Sequence, residues 1–200
     1  MEALADKFDT EVTAIALVKD ELVLAAAAGR TDIAVAPTRV GQRLPFMPPI
    51  GSCFAAWGDI ELRAKWVESV ADMLNDEQMD VLRQVPDLVR NRGYAVAIGH
   101  QAGAQLELVA TRINAGDPEV PTSSMREAFF KALDGYNQLE EPDDVELRSL
   151  SAPVFDASGR VAYMLTMWGR WERVTSTEVH DRVDALCATA AAATQAIANR

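Results

Sequence analysis

The chain has 200 residues, 49% hydrophobic and 24% charged, which is ordinary for a soluble globular domain that buries its own core. Its net charge of −11 argues against direct binding of nucleic acid, because phosphate contacts need a basic surface. Two cysteines are too few for a disulfide framework and indicate a reducing, cytosolic location. We find no signal peptide, and no apolar run approaches the roughly 20 residues that span a bilayer.

The first third of the sequence predicts a helix followed by a pair of strands. Residues 2–8 place apolar side chains on one helical face. A helix that begins at residue 1 without a cap suggests that the chain is part of a longer protein. Residues 10–18 and 22–28 are rich in β-forming side chains and flank Lys19-Asp20-Glu21, so they predict a hairpin.

A proline-rich stretch, LPFMPPIGSCFAAW at residues 44–57, comes next. Its prolines forbid a helix before Ile50, whereas the residues after Gly51 permit one, with Ser52 as a reasonable N-cap. A helix that starts there would direct free backbone N–H groups at an anion or a carboxylate. The alternative, which we favour from these residues alone, is an ordinary junction between a loop and a helix.

The middle of the chain is predicted to be helical and then mixed. One helix is predicted from Asp59 through Met73. A second is predicted from Asn75 to about residue 91, interrupted or bent near Pro86 and closed by Gly93.

Beyond Gly93 the pattern changes to strands and one more helix. Residues 94–100 and 105–113 predict a strand pair, and residues 121–139 predict a helix that a capping box opens. Residues 140–144 form an acidic loop, most simply exposed to solvent.

Residues 145–168 give the strongest local prediction, a β-hairpin of sequence VELRSLSAPVFDASGRVAYMLTMW. Its two arms flank Asp156–Gly159, in which Asp opens the turn and Gly supplies a positive φ. The second arm has few charges, so we expect it in the middle of a sheet with both faces covered. A small-molecule pocket could be lined on one side by Met164, Thr166 and Trp168, although packing in the core is the simpler explanation for these residues.

The last segment predicts a long helix. Thr175 and Glu178 are spaced as a capping box, and many alanines follow, which allow close approach to a sheet or another helix. Hairpins grouped between helices in this order imply an α+β domain, an antiparallel sheet with helices on its faces.

Three stretches in this order resemble the effector-binding domain of IclR-type bacterial transcription regulators. They are residues 44–57, VRNRGYAV at residues 89–96 and LRSLSAPVFDASGRVAYMLTMWG at residues 147–169, and the final helix fits the same order. The resemblance covers residues 1–91 and 145–200. It implies a GAF-like fold, a curved antiparallel sheet with helices on both faces and a ligand pocket on the concave face.

The same resemblance implies the organisation and the partners. Residues 1–200 would form one effector-binding domain with an inserted strand pair and helix at about residues 97–144. A winged helix-turn-helix DNA-binding domain would precede residue 1, and nothing in this chain resembles it. Assembly into homodimers or homotetramers is implied. The family's effectors are mostly small organic acids, often aromatic or short-chain; DNA would be bound only through the separate domain, and neither a membrane nor a cofactor is implied.

Position by position, the resemblance implies a ligand site at the start of the proline-associated helix and on the final hairpin. The implied residues are Pro49, Ile50, Gly51, Ser52, Cys53, Leu147, Ser149, Thr166 and Trp168. Three positions depart from the family. Pro49 lacks a backbone N–H, Trp168 is bulky where a small hydroxyl residue is common, and Ala97 or a neighbour replaces an acidic residue. These departures leave a second alternative, in which the pocket is filled or serves another purpose.

Two other functions stay open from the residues alone. Cys53 lies in the first turn of its predicted helix, where a thiol pKa can fall, so a GAF-like enzyme or redox domain is one alternative. Buried structural cysteines are commoner. The other alternative is a ligand-free interaction module, in which Trp168 fills the pocket and the insertion binds a partner. His100 and His180 give weak evidence for a metal, and we predict neither a catalytic residue nor a metal site.

Overall fold

The computed structural model describes residues 1–30, 40–98 and 144–199. Within these ranges the chain forms a six-stranded antiparallel sheet with helices, which confirms the predicted α+β class. The strand predicted at residues 105–113, the helix predicted at residues 121–139 and most of the predicted insertion lie outside the described residues.

The elements follow one another in an order close to the predicted one. They are α1 (Glu2–Phe8), β1 (Glu11–Val18), β2 (Glu21–Gly29), β3 (Arg43–Pro45), α2 (Ser52–Trp57), α3 (Ile60–Glu68), α4 (Asp76–Arg92), β4 (Ala95–Ile98), β5 (Val145–Phe155), β6 (Val161–Val174) and α5 (Ser176–Ala198). None of the described helices is long and apolar enough to cross a bilayer.

The two hairpins lie side by side in the sheet, whose strand order is β3-β2-β1-β6-β5-β4. The second arm of the final hairpin, β6, therefore lies between β1 and β5, which confirms the prediction of a central strand. The turn before it also forms as predicted. The Asp156 carboxylate accepts hydrogen bonds from the backbone N–H groups of Ser158 and Arg160 at 2.8 and 3.1 Å, and Gly159 has a φ of 79°.

Side-chain caps decide where the longer helices begin. Asn75 and Gln78 form a capping box before α4, and Thr175 and Glu178 form the predicted one before α5. Gly93 ends α4 in the left-handed conformation, as predicted.

Two predicted helix boundaries are wrong, and of the two alternatives predicted at Pro86 the interruption is excluded. The helix through Met73 ends earlier, because α3 stops at Glu68. Pro86 does not interrupt α4, since burial of this helix face in the core outweighs one lost backbone hydrogen bond. Ser52 is the first residue of α2 rather than its cap. Gly51 takes the cap position with a φ of 84°, and a Cβ there would lie 2.9 Å from the Phe46 ring, so only glycine fits.

The sheet separates two hydrophobic cores. One core packs α2, α3 and α4 against strand residues such as Ile15 and Met164, and we call this side the α2–α4 face. The other packs α1 and α5 against Val12, Leu165 and Met167, and we call it the α1–α5 face. Each central strand contributes to both cores because its side chains alternate between faces.

Two polar contacts fix the periphery of these cores. On the α2–α4 face the buried indole N–H of Trp66 donates to the Ile50 carbonyl at 2.8 Å and so holds the loop before α2. On the α1–α5 face the guanidinium of Arg182 lies over the rings of both Phe8 and Trp171, at 5.5 and 5.2 Å from their centroids. The first and last helices are thereby joined to β6.

Candidate functional site

Three neighbouring strands each carry two hydrogen-bonding side chains at positions i and i+2. Side chains two apart in a strand share a face, and antiparallel pairing places these pairs opposite one another. The result is two cross-strand rows, Glu11–Trp168–Ser149 and Thr13–Thr166–Ser151, which we call the polar patch. The next row contains Ile15 opposite Met164, both in the core of the α2–α4 face, so the patch lies on that face.

The polar patch is buried. Glu11, Thr13 and Thr166 are each at most 1% exposed. Five of the seven buried polar or charged residues in the described ranges belong to the patch, and only Thr10 and Ser52 lie outside it. Since burying polar groups is costly unless they gain partners, such a concentration at the centre of a sheet is typical of a binding site.

Internal hydrogen bonds fix most of the patch. The Trp168 indole N–H donates to the Thr13 hydroxyl at 2.8 Å, and the hydroxyls of Ser151 and Thr166 are 2.9 Å apart. The Thr10 hydroxyl donates to the backbone carbonyl of Trp168. The bulky Trp168 side chain is therefore held in one orientation, with its ring on the α2–α4 face.

Glu11 is the charged member of the patch. Within the described residues neither of its carboxylate oxygens has a hydrogen-bond partner. Burial raises the pKa of Glu11 from 4.5 to about 7, because removal from water disfavours the ionised form and no charge among the described residues offsets the effect. Near neutral pH the Glu11 carboxyl is thus present in both protonation states.

The predicted ligand residues around α2 lie on the same side of the sheet as the patch. Helix α2 contacts both β5 and β6, and Ile50 and Cys53 share a core with Met164. In the described part of the chain no hydrogen bond joins residues 49–53 to the patch. With six residues, α2 develops little macrodipole, so its start is not by itself an anion site.

Leu147 is not brought together with the other predicted ligand residues. It is fully buried in the core of the α1–α5 face, opposite Trp171. The pairing of β5 shifts between Leu147 and Ser149, and this bulge turns Leu147 to the opposite side of the sheet.

Three patch residues were missed from the sequence: Glu11, Thr13 and Ser151. The signal that could have found them is a polar pair at i and i+2 inside an otherwise apolar strand, as in EVTAIALV of β1. Recognising the pair as part of a site also requires that β1 be paired with β6, which local patterns do not specify.

Cys53 has the environment of a core residue. It is fully buried, and burial, with a smaller effect from Cys187, raises the pKa of its thiol far above the ordinary value. A nucleophilic or redox-active cysteine needs a lowered pKa and access to solvent, so this environment does not favour the alternative enzyme function. Within the described ranges no three His, Cys, Asp or Glu side chains group as a metal site would require, and His180 is exposed on α5.

A concavity of about 560 Å³ lies on the α1–α5 face, between α5 and the sheet. Its lining is mostly alanine and aliphatic, and among the lining residues only Tyr163 and Thr189 have polar side chains. The Thr189 hydroxyl donates to the Ala185 carbonyl of its own helix at 2.8 Å. This groove therefore lacks the several convergent polar groups that orient a ligand, whereas the polar patch has them.

Comparison with solved structures identifies the fold. The IclR transcriptional regulator of Alicyclobacillus acidocaldarius superposes with a TM-score of 0.61 at 16% identity, over 97% of this chain and 63% of that one. The C-terminal domain of Escherichia coli KdgR superposes with a TM-score of 0.58 at 19% identity, over 98% and 92%. These identities establish a shared fold only. The resemblance to IclR-type effector domains is confirmed at that level.

One of the similar structures contains a ligand. It is a double mutant of the inducer-binding domain of PobR from Acinetobacter in complex with 3-hydroxybenzoic acid, with a TM-score of 0.58 at 16% identity, over 96% of this chain and 92% of that one. The chain thus spans less than two thirds of the Alicyclobacillus regulator but nearly all of the isolated domains. No family model and no curated protein matches the sequence.

Glu11 should make stability depend on pH. Its pKa in the fold, about 7, lies above the ordinary 4.5, so the folded state binds the proton more tightly than the unfolded chain. The free energy of unfolding should therefore fall by on the order of 3 kcal/mol as pH rises from about 4.5 to about 7, and level off above that. Glu11→Gln should remove this part of the dependence in urea denaturation at about pH 5 and pH 8. Equal pH dependence of both proteins would contradict the prediction.

The two cysteines should differ in reactivity. Cys53 is fully buried, whereas Cys187 is half-buried on α5. We expect a thiol-specific chromogenic reagent to label Cys187 first and to label Cys53 only when the chain unfolds. The rate at which Cys53 is labelled should not be enhanced at neutral pH, as it would be for a thiol with a lowered pKa. Single variants Cys53→Ala and Cys187→Ala assign the two phases. Fast labelling of Cys53 in the native protein would restore the enzyme hypothesis.

Proposed function

We propose that this chain is the small-molecule-sensing and oligomerisation domain of an IclR-type transcription regulator, and that its effector binds against the polar patch. The observation that carries the proposal is the patch itself, a buried set of oriented hydrogen-bonding groups at the centre of a sheet. The fold shared with an inducer-binding domain that holds a small aromatic acid supports it. Sensing by this domain involves no catalysis.

The effector that we propose is a small organic or aromatic acid. Trp168 supplies an aromatic surface, and the hydroxyls of Ser149 and Thr166 supply hydrogen bonds. Arg148, the residue before Ser149, has a largely buried side chain that forms an ion pair with Glu146. In this proposal a carboxylate of the ligand shares the Arg148 guanidinium with Glu146.

The proposed ligand contacts differ from the predicted set in two ways: Arg148 is added and Leu147 is removed. Residues 49–53 stay in the proposal because they lie on the same face as the patch, although Pro49 offers no N–H. Ser149, Thr166 and Trp168 stay because they belong to the patch. Leu147 is left out because it faces the opposite core.

Effector binding would act on DNA through a separate domain. A ligand shifts an equilibrium between two arrangements only by its difference in affinity for them. In this proposal the two arrangements are packings of homodimers or homotetramers, which would differ in the spacing of the attached DNA-binding domains.

A ligand-free interaction module is the second candidate function. The observation in its favour is Trp168, which is only 7% exposed and is held by Thr13, so its ring occupies space that smaller residues would leave open. The ligand screen below separates the two functions, since an interaction module would show no saturable response to any small acid.

Thr166 should be required for the response to ligand. Thr166→Val keeps the side-chain volume but removes the hydroxyl, so it should abolish most of the thermal stabilisation by aliphatic and aromatic carboxylic acids. A ligand at about 100 times its dissociation constant stabilises by roughly 2.7 kcal/mol, which shifts the midpoint visibly. Thr189→Val is the matched control, because the Thr189 hydroxyl lies outside the patch and donates to the Ala185 carbonyl of its own helix. An unchanged response in Thr166→Val would argue against this site.

Self-association is tested separately. Sedimentation velocity on the wild-type domain should show a dimer or a tetramer at micromolar concentration, and a distribution that changes when a stabilising acid is added. A monomer at all concentrations would contradict the oligomerisation part of the proposal and leave the sensing part intact.

A further inference from the structure

Glu11 differs from the rest of the polar patch because no other patch residue donates a hydrogen bond to its carboxylate. It lies in β1 opposite Trp168 and is 1% exposed, and both of its carboxylate oxygens lack a partner among the described residues. A buried carboxyl group without a hydrogen bond is costly, and folds retain such a group mainly where a ligand or a reaction uses it.

The donors next to Glu11 are committed elsewhere. The Trp168 indole N–H donates to Thr13, and the Thr10 hydroxyl donates to the Trp168 carbonyl. The strand neighbours of Glu11 in β2 and β6 are Gly29 and Trp168, neither of which carries a charge.

Asp9 and Arg148 are also engaged with other charged groups. Asp9, two residues before Glu11, is exposed and forms an ion pair with Arg30 at 3.0 Å. On β5, Arg148 forms an ion pair with Glu146. Within the described part of the chain, no cation is therefore paired with Glu11, and its carboxyl remains an acceptor on the ligand-facing side of the sheet.

We propose that Glu11 selects the effector by accepting a hydrogen bond from an O–H or N–H group of the bound molecule. The effector would then carry a hydroxyl or an amine in addition to its acidic or aromatic part. This inference rests on the proposed sensing function and narrows its ligand class. It also explains why a buried carboxyl is kept beside a proposed site for an acid, since the donor group, and not the ligand's carboxylate, would face Glu11.

The first part of the test needs no ligand. Glu11→Met replaces the carboxyl by an apolar group of similar size, so at about pH 8 the variant should be at least as stable as the wild type in urea denaturation. Thr13→Val is the matched control in the same strand and should be destabilised, because it leaves the buried Trp168 indole N–H without the hydroxyl to which it donates. If Glu11→Met is destabilised like the control, Glu11 has a partner within the chain and the proposal fails.

The second part measures binding by calorimetry with matched probes. The probes are 3-hydroxybenzoate, 3-(aminomethyl)benzoate and 3-methoxybenzoate, and the corresponding 3-substituted propanoates. In one of the two series the wild type should bind a donor-bearing member about tenfold or more tightly than the methoxy member. Glu11→Met should lose this preference and keep its affinity for the methoxy member.

The two donor types are distinguished by Glu11→Gln. The glutamine amide keeps an acceptor oxygen, so preference for a hydroxyl should survive, whereas preference for an ammonium group requires the carboxylate and should disappear. If the acids bind without any preference for a donor, this inference is overturned and the sensing function stands. If no probe binds the wild type, both the acid-sensing function and the inference fall.

Discussion

The pairing of β1 with β6 is the constraint on which the site depends. It brings the Thr13 hydroxyl to the Trp168 indole across 155 residues of sequence. It also aligns the polar pair of β1 with the two pairs that the β5–β6 hairpin already places opposite each other. A slip of one residue in this register would turn every polar side chain of β1 into the apolar core of the α1–α5 face and expose Val12 to the patch. Register and site are therefore specified together.

The two faces of the sheet differ in the polarity of what they bury. The α1–α5 face is apolar along the central strands and contributes hydrophobic burial without polar cost. The α2–α4 face has a similar apolar core near Ile15 and Met164, but in the next two rows along the strands it buries hydroxyls, an indole and a carboxyl. Local departure from good packing is typical of the part of a fold that serves function.

The sequence predicted most of the described fold and three of the six residues of the polar patch. The final hairpin was predictable because Asp156 and Gly159 fix its turn, and Thr175 and Gly93 marked helix ends through local caps. Its strands supplied Ser149, Thr166 and Trp168 to the patch. Glu11 and Thr13 were not predicted, because they join the patch through the pairing of two strands that are distant in the sequence. Leu147 was assigned to the site by the resemblance, and the bulge that turns it to the other face cannot be read from the sequence.

The sheet is a single layer, and this has a mechanical consequence for the proposed sensor. Val12 and Glu11 are neighbours on one backbone, yet Val12 packs with α1 and α5 while Glu11 lies in the patch. Any displacement of β1 that follows from filling the patch is thus imposed at the same moment on the side chains that support the first helix. The coupling needs no chain of intermediate residues, because alternate side chains of the same strand contact the proposed site on one face and the first helix on the other.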